Sequence, residues 1–168
     1  MGAISQAQSR PIATPAPSAM ASGAAAKAAA TLNVLIVEEE GYTRTLLRTV
    51  ARALGAEQIE TADGVKPALR LVEEKSINLV ISDLNLPEMS GLDFLAELRR
   101  RSPDIQFLLI SNKSDPEHIQ QAVNSGVSAI LVRPFSRAQV EAKLRHLANR
   151  IAPNLVPTLA RAAPMPHA

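Results

Sequence analysis

The sequence predicts a doubly wound α/β domain over residues 32–152, with five parallel strands covered on both faces by five helices. Two observations carry this. Short apolar runs alternate along the chain with segments whose apolar residues recur at helical spacing. Strands buried on both faces read as continuous apolar runs, and each crossover helix packs back onto such a sheet with one hand.

LNVLIV (32–37) is the first strand, and RTLLRTVARAL (44–54) is a helix with Leu47, Val50 and Leu54 on one side and Gly55 as its stop signal. QIETA (58–62) is a weaker second strand. Asp63-Gly64 then leads into a helix with Pro67 in its first turn and Leu71 and Val72 facing inward. NLVISD (78–83) is the third strand, and Gly91 opens a helix carrying Leu92, Leu95 and Leu98. IQFLLIS (105–111) is the fourth strand, PEHIQQAV (116–123) a helix ended by Gly126, and AILV (129–132) the fifth strand. Ser136 caps a last helix striped by Val140, Leu144, Leu147 and Ile151.

Composition narrows the function. Residues 1–31 are rich in Ala, Ser and Pro with few branched aliphatics, and residues 153–168 carry four prolines, so both ends read as flexible tails. Aromatic residues make up only 2 %, which leaves few stacking platforms for single-stranded nucleic acid. With no cysteine, thiolate metal sites and cysteine nucleophiles are excluded. No apolar run approaches a membrane span, and the N-terminus lacks the basic and apolar regions of a secretory signal, so a cytoplasmic protein is expected.

In doubly wound sheets, functional groups gather at the carboxyl ends of the strands. Here those ends carry Glu38, Glu39 and Glu40 after the first, Asp83 after the third, Ser111 and Asn112 after the fourth, and Arg133 and Pro134 after the fifth. If the first, third and fifth runs lie side by side, carboxylates from two strands converge with a cation and a hydroxyl at the rim. Such a set suits Mg²⁺ and a phosphoryl group, with one carboxylate free to attack phosphorus. Singly, each feature has a plainer explanation: a glutamate run as a solvated helix start, Ser111 and Asp83 as turn formers, Arg133 as a surface cation. It is their conjunction at strand ends that points to chemistry.

"VLIVEEE", "VISDLNLPEMSGLDFL", "LLIS" and "ILVRPF", in this order, resemble the receiver domain of two-component response regulators over about 120 residues. The likeness is to the single-domain, chemotaxis-type kind. It implies a flavodoxin-like sheet in the order 2-1-3-4-5 and a stand-alone signalling domain rather than an enzyme, self-dephosphorylation aside. By the same resemblance Asp83 matches the phosphoacceptor, Glu38 and Glu39 the acid pair that holds Mg²⁺, and Asn85 the position whose backbone carbonyl ligates the metal. Ser111 matches the switch hydroxyl, Arg133 the site of a lysine, and Pro134 a proline that follows it through a cis bond. The implied partners are a histidine kinase or phosphotransfer protein and a downstream protein bound through the fourth helix, fifth strand and fifth helix, with Arg137, Lys143 and Arg145 as a basic rim. No specific nucleic acid and no membrane are implied, and a weak homodimer is compatible with the resemblance.

The chain departs from the family pattern in ways that bear on mechanism. Both members of the acid pair are glutamate, each longer than aspartate by roughly 1.5 Å. Arg133 is a planar fork suited to gripping a carboxylate such as Asp83, where lysine is a flexible point charge. Ile130 stands where many receivers carry a rotating aromatic residue, and Ser90 where aspartate is frequent. The alternative is therefore a degenerate receiver that binds proteins without phosphorylation. An aspartyl-nucleophile phosphatase needs a second acid two residues after the nucleophile, where this chain has Asn85. A dinucleotide site lacks its glycine motif, and direct DNA binding lacks a helix-turn-helix.

Overall fold

In the computed structural model, residues 30–154 are described, so the expected flexible tails lie almost entirely outside the described residues. Ten elements alternate through this segment. They are β1 (Asn33–Val37), α1 (Gly41–Ala53), β2 (Gln58–Ala62), α2 (Val65–Glu74), β3 (Leu79–Asp83), α3 (Gly91–Arg101), β4 (Gln106–Ser111), α4 (Pro116–Asn124), β5 (Ala129–Val132) and α5 (Arg137–Ile151). The five strands form one parallel sheet in the order β2-β1-β3-β4-β5. The strand order implied by the resemblance is the one observed. The side-by-side placement of the first, third and fifth strands needs correction, because β4 lies between β3 and the edge strand β5.

Alternation along the strands builds two cores. Val34, Ile36, Leu79, Ile81, Leu108 and Ile110 face one side, where α1 and α5 cover them with Leu47, Val50, Leu144 and Leu147. Leu35, Val37, Val80, Phe107 and Leu109 face the other, under α2, α3 and α4, with Phe94 and Phe107 edge to face at 6.1 Å. Burying a leucine- or phenylalanine-sized side chain contributes about 1.5–3 kcal/mol, so an interior with so few aromatics is held by many aliphatic contacts. At the amino ends of the strands, the Asn78 amide ties β1 to β3, accepting from Asn33 N–H at 2.9 Å and donating to the Thr31 carbonyl at 2.7 Å.

Caps set the helix starts. Ser136 and Gln139 form a reciprocal capping box at α5, Ser90 accepts from Asp93 N–H at α3, and Asp115 accepts from His118 N–H at α4 beside Pro116. Helix α1 starts at Gly41, earlier than the apolar pattern suggests, because its first turn is largely exposed and carries few apolar markers. Gly55 follows its C-terminal end with φ of +92°, a left-handed conformation that suits glycine. Leu71 and Val72 are only partly buried, and Val65 and Ala68 take the innermost positions on α2.

Candidate functional site

The register of the sheet levels the key residues. Val37 pairs with Ser82, so Glu38 stands beside Asp83 as both strands end. Asp83 pairs with Ile110 and Ser111 with Val132, which places Arg133 one step beyond the same rim. The chain then turns sharply from Asp83 into α3. Gly91 makes that turn feasible, since a Cβ there would lie 2.5 Å from the Asp83 carbonyl oxygen and 3.0 Å from Leu109. Gly91 N–H also donates to the Leu84 carbonyl at 2.7 Å, and Asn85 bridges to Ser90, so the loop is pinned at both ends.

At the rim, one guanidinium joins two carboxylates. Arg133 Nη2 donates to Glu38 Oε2 at 2.5 Å, and Arg133 Nη1 donates to Asp83 Oδ2 at 3.0 Å and more weakly to Asn112 Oδ1 at 3.4 Å. The remaining carboxylate oxygens are also engaged, Glu38 Oε1 by Glu40 N–H at 2.9 Å and Asp83 Oδ1 by Asn85 N–H at 3.0 Å. Glu38 is 3 % exposed, Asp83 13 % and Arg133 24 %, so the pairing is shielded on the β1 side and open toward water on the β5 side.

Burial pushes the Glu38 carboxyl above the usual glutamate range, against the opposing pull of the Glu40 N–H and the Arg133 charge. Partial burial works against the charge on Arg133. The bond to Asp83 and the fields of Glu38 and Asp83 outweigh it and hold the guanidinium above its ordinary value.

The surrounding cleft, about 400 Å³, is lined by Glu39, Asp63, Asn85, Pro87 and Asn112 as well as the ion-paired residues. Of the residues singled out in the sequence, Glu38, Asp83 and Arg133 are in direct contact, and Asn85 joins them through its N–H. Glu39 is exposed and lines the cleft without entering that network. Ser111 turns toward its own loop, its Oγ accepting from Lys113 N–H at 3.0 Å, and borders a small cavity shared with Ile130, Leu109 and Ala122. The Arg133–Pro134 peptide is cis, as the resemblance implies. Asn112 and Asp63 were not assigned a role in the sequence. Extending the strand-end rule to β2 finds Asp63, whereas the contact of Asn112 depends on which way Arg133 reaches.

A family profile for the response regulator receiver domain matches residues 34–145. The chain belongs to the response regulator receiver domain family. It is 30 % identical over 115 residues to a probable chemotaxis protein CheY of Rhizobium etli, covering 67 % of this chain and 89 % of that protein. It is 28 % identical over 122 residues to chemotaxis protein CheY-3 of Vibrio cholerae, covering 71 % and 94 %. Among solved structures, the chemotaxis response regulator CheY4 of Vibrio cholerae superposes with a TM-score of 0.64 at 25 % identity, over 70 % of this chain and 98 % of that one. Receiver domains are signalling modules of two-component systems, in which phosphorylation and Mg²⁺ binding are typical. Among the described residues, no helix is long and apolar enough to cross a membrane.

The donor set of this receiver does not fit that metal as arranged. Mg²⁺ takes oxygen ligands in near-octahedral geometry at about 2.0–2.1 Å. Both oxygens of Glu38 and both of Asp83 already accept hydrogen bonds, and a cation at either carboxylate would lie against the Arg133 guanidinium. Among the described residues, no three acidic or histidine side chains gather closely enough to hold a metal ion.

Proposed function

We propose that this receiver accepts a phosphoryl group on Asp83 from a phosphohistidine of a histidine kinase or phosphotransfer protein and signals by changed protein binding. The observation that supports this most is the placement of Asp83: a carboxylate at the end of a central strand, at the floor of an open cleft, in contact with a cation. In the transfer, an Asp83 carboxylate oxygen attacks phosphorus. A P–O bond forms, the P–N bond breaks, and the electron pair leaves with the imidazole, which takes up a proton. Arg133 then exchanges its bond to the carboxylate for charge-assisted bonds to phosphoryl oxygens. Ser111, at the adjacent strand end, supplies a hydroxyl once it leaves its Lys113 contact.

The readout follows from what moves. Arg133 directly follows β5 and Ser111 ends β4, so drawing them inward biases the α4–β5–α5 surface, which docks the downstream protein. Arg137 and Lys143 are exposed there, while Arg145 is engaged by Glu141 at 2.6 Å, so among the described residues the basic rim has two unpaired cations rather than three.

The guanidinium bridge also favours a second reading, a degenerate receiver that binds its partner without phosphorylation, because the acceptor carboxylate is already satisfied. One experiment separates the two. The protein and an Asp83→Ala variant are incubated with acetyl phosphate, with and without MgCl₂, and their intact masses are compared. A single base-labile phosphate present only on the unsubstituted protein supports the phosphoacceptor. No adduct under either condition, with partner binding retained, supports the binding module.

A further inference from the structure

We infer that Arg133 is a tethered counter-cation that occupies the place a divalent ion would take between Glu38 and Asp83, so that this cleft does without Mg²⁺. The two departures from the family pattern make sense together. With adjacent strands about 4.8 Å apart, β1 and β5 are roughly 14 Å apart across the sheet. Closing that gap needs a long side chain from each side. Glu38 reaches out from the end of β1 while its other oxygen still accepts the Glu40 N–H, and Arg133 reaches back over the end of β4. An aspartate at 38 would fall short by roughly 1.5 Å. A lysine at 133 would present one ammonium where the fork spends one nitrogen on each carboxylate.

The fork also accounts for the oxygens. A divalent ion would have to displace Arg133 from Glu38 Oε2 and Asp83 Oδ2, or crowd against a side chain that stays charged across the accessible pH range. Displacement is opposed further because Glu38 is almost wholly buried and, among the described residues, its carboxylate is ion-paired with Arg133 alone, the nearby Arg44 guanidinium being spent on the Glu38 backbone carbonyl at 3.1 Å. Glu39, Glu40 and Asp63, the remaining acids of the cleft, are exposed, and none of their carboxylates is bonded to Arg133; that of Glu40 accepts from the Thr43 hydroxyl instead.

The test is titration with MgCl₂ at constant ionic strength, followed by amide chemical shifts around residues 38, 83 and 133 and by melting temperature. The unsubstituted protein is compared with Arg133→Ala, Arg133→Lys and the double variant Glu38→Asp/Arg133→Lys. We expect no saturable response of the unsubstituted protein up to about 10 mM, and saturable binding at least tenfold tighter in Arg133→Ala and in the double variant, with a melting temperature that rises with Mg²⁺. Saturable millimolar or tighter binding by the unsubstituted protein overturns the inference. So does an absence of binding in every folded variant, since the guanidinium would then not be what excludes the ion. If Arg133→Ala does not fold, the two lysine variants decide. The readout is metal binding alone, so either result leaves the phosphoacceptor role of Asp83 to its own test.

Discussion

Removing Arg133 should expose how far the site depends on its internal cation. In Arg133→Ala, Glu38 and Asp83 lose bonds of 2.5 and 3.0 Å and are left facing one another, with Glu38 at 3 % exposure. Removing one partner of a fully buried pair costs about 3–5 kcal/mol. Here the cleft is open on the Arg133 side, and Glu38 has an escape by taking up a proton. Protonating a carboxyl of ordinary pKa costs about 4 kcal/mol at pH 7 and about 1 kcal/mol at pH 5, which caps the loss at each pH. We therefore expect a loss of about 2–3 kcal/mol at pH 7, falling to about 1 kcal/mol at pH 5. The chain has no Trp and a single Tyr, so urea unfolding is best followed by far-ultraviolet circular dichroism, with linear extrapolation to water. A loss below about 0.5 kcal/mol at pH 7, or an equal loss at both pH values, would refute the reasoning.

Three further outcomes follow from the same structure. Gly91→Ala forces a methyl against the Asp83 carbonyl and should cost about 2–3 kcal/mol while shifting the amide resonances of residues 83–85; a neutral substitution with unmoved resonances would show that the loop has slack. Ser136→Ala removes one half of the α5 capping box and should lower stability by about 1 kcal/mol, measured by urea denaturation, without altering Mg²⁺ titrations or Asp83 phosphorylation. Because Glu38 holds its proton more tightly folded than unfolded, its contribution to stability is complete below the unfolded pKa and is lost as pH rises through the folded one. The stability of the unsubstituted protein minus that of Glu38→Gln should accordingly fall as pH rises from the ordinary glutamate range; a difference that grows with pH would contradict the burial effect.

Much of this architecture was legible because the apolar runs and helical stripes repeat with few interruptions. Val140, Leu144 and Leu147 are buried on the stripe that the spacing indicates, and Ser136 caps as its position suggests. The start of α1 was obscured because Gly41, Tyr42 and Thr45 are exposed and give no periodic signal. At the site, the strand-end rule found Glu38, Asp83 and Arg133, but it assigned no difference between Glu38 and Glu39. Register makes that difference: the step beyond Val37 carries Glu38 inward beside Asp83, and the next residue turns out to solvent. Nor does sequence reveal rotamers. Ser111 sits at the right strand end, yet its hydroxyl closes a local turn with Lys113, and Arg133 crosses over β4 from an edge strand rather than lying beside β3.

The central claim is that Asp83 is the phosphoryl acceptor, and its most direct test is chemical mapping of the modified carboxyl. After incubation with acetyl phosphate, borohydride reduces an acyl phosphate to an alcohol, and trypsin should release residues 76–99 as one peptide containing both Asp83 and Asp93. Reduction confined to Asp83 is the predicted result. Reduction at Asp93 or Asp63 with Asp83 intact, or none at all in folded protein, would contradict it.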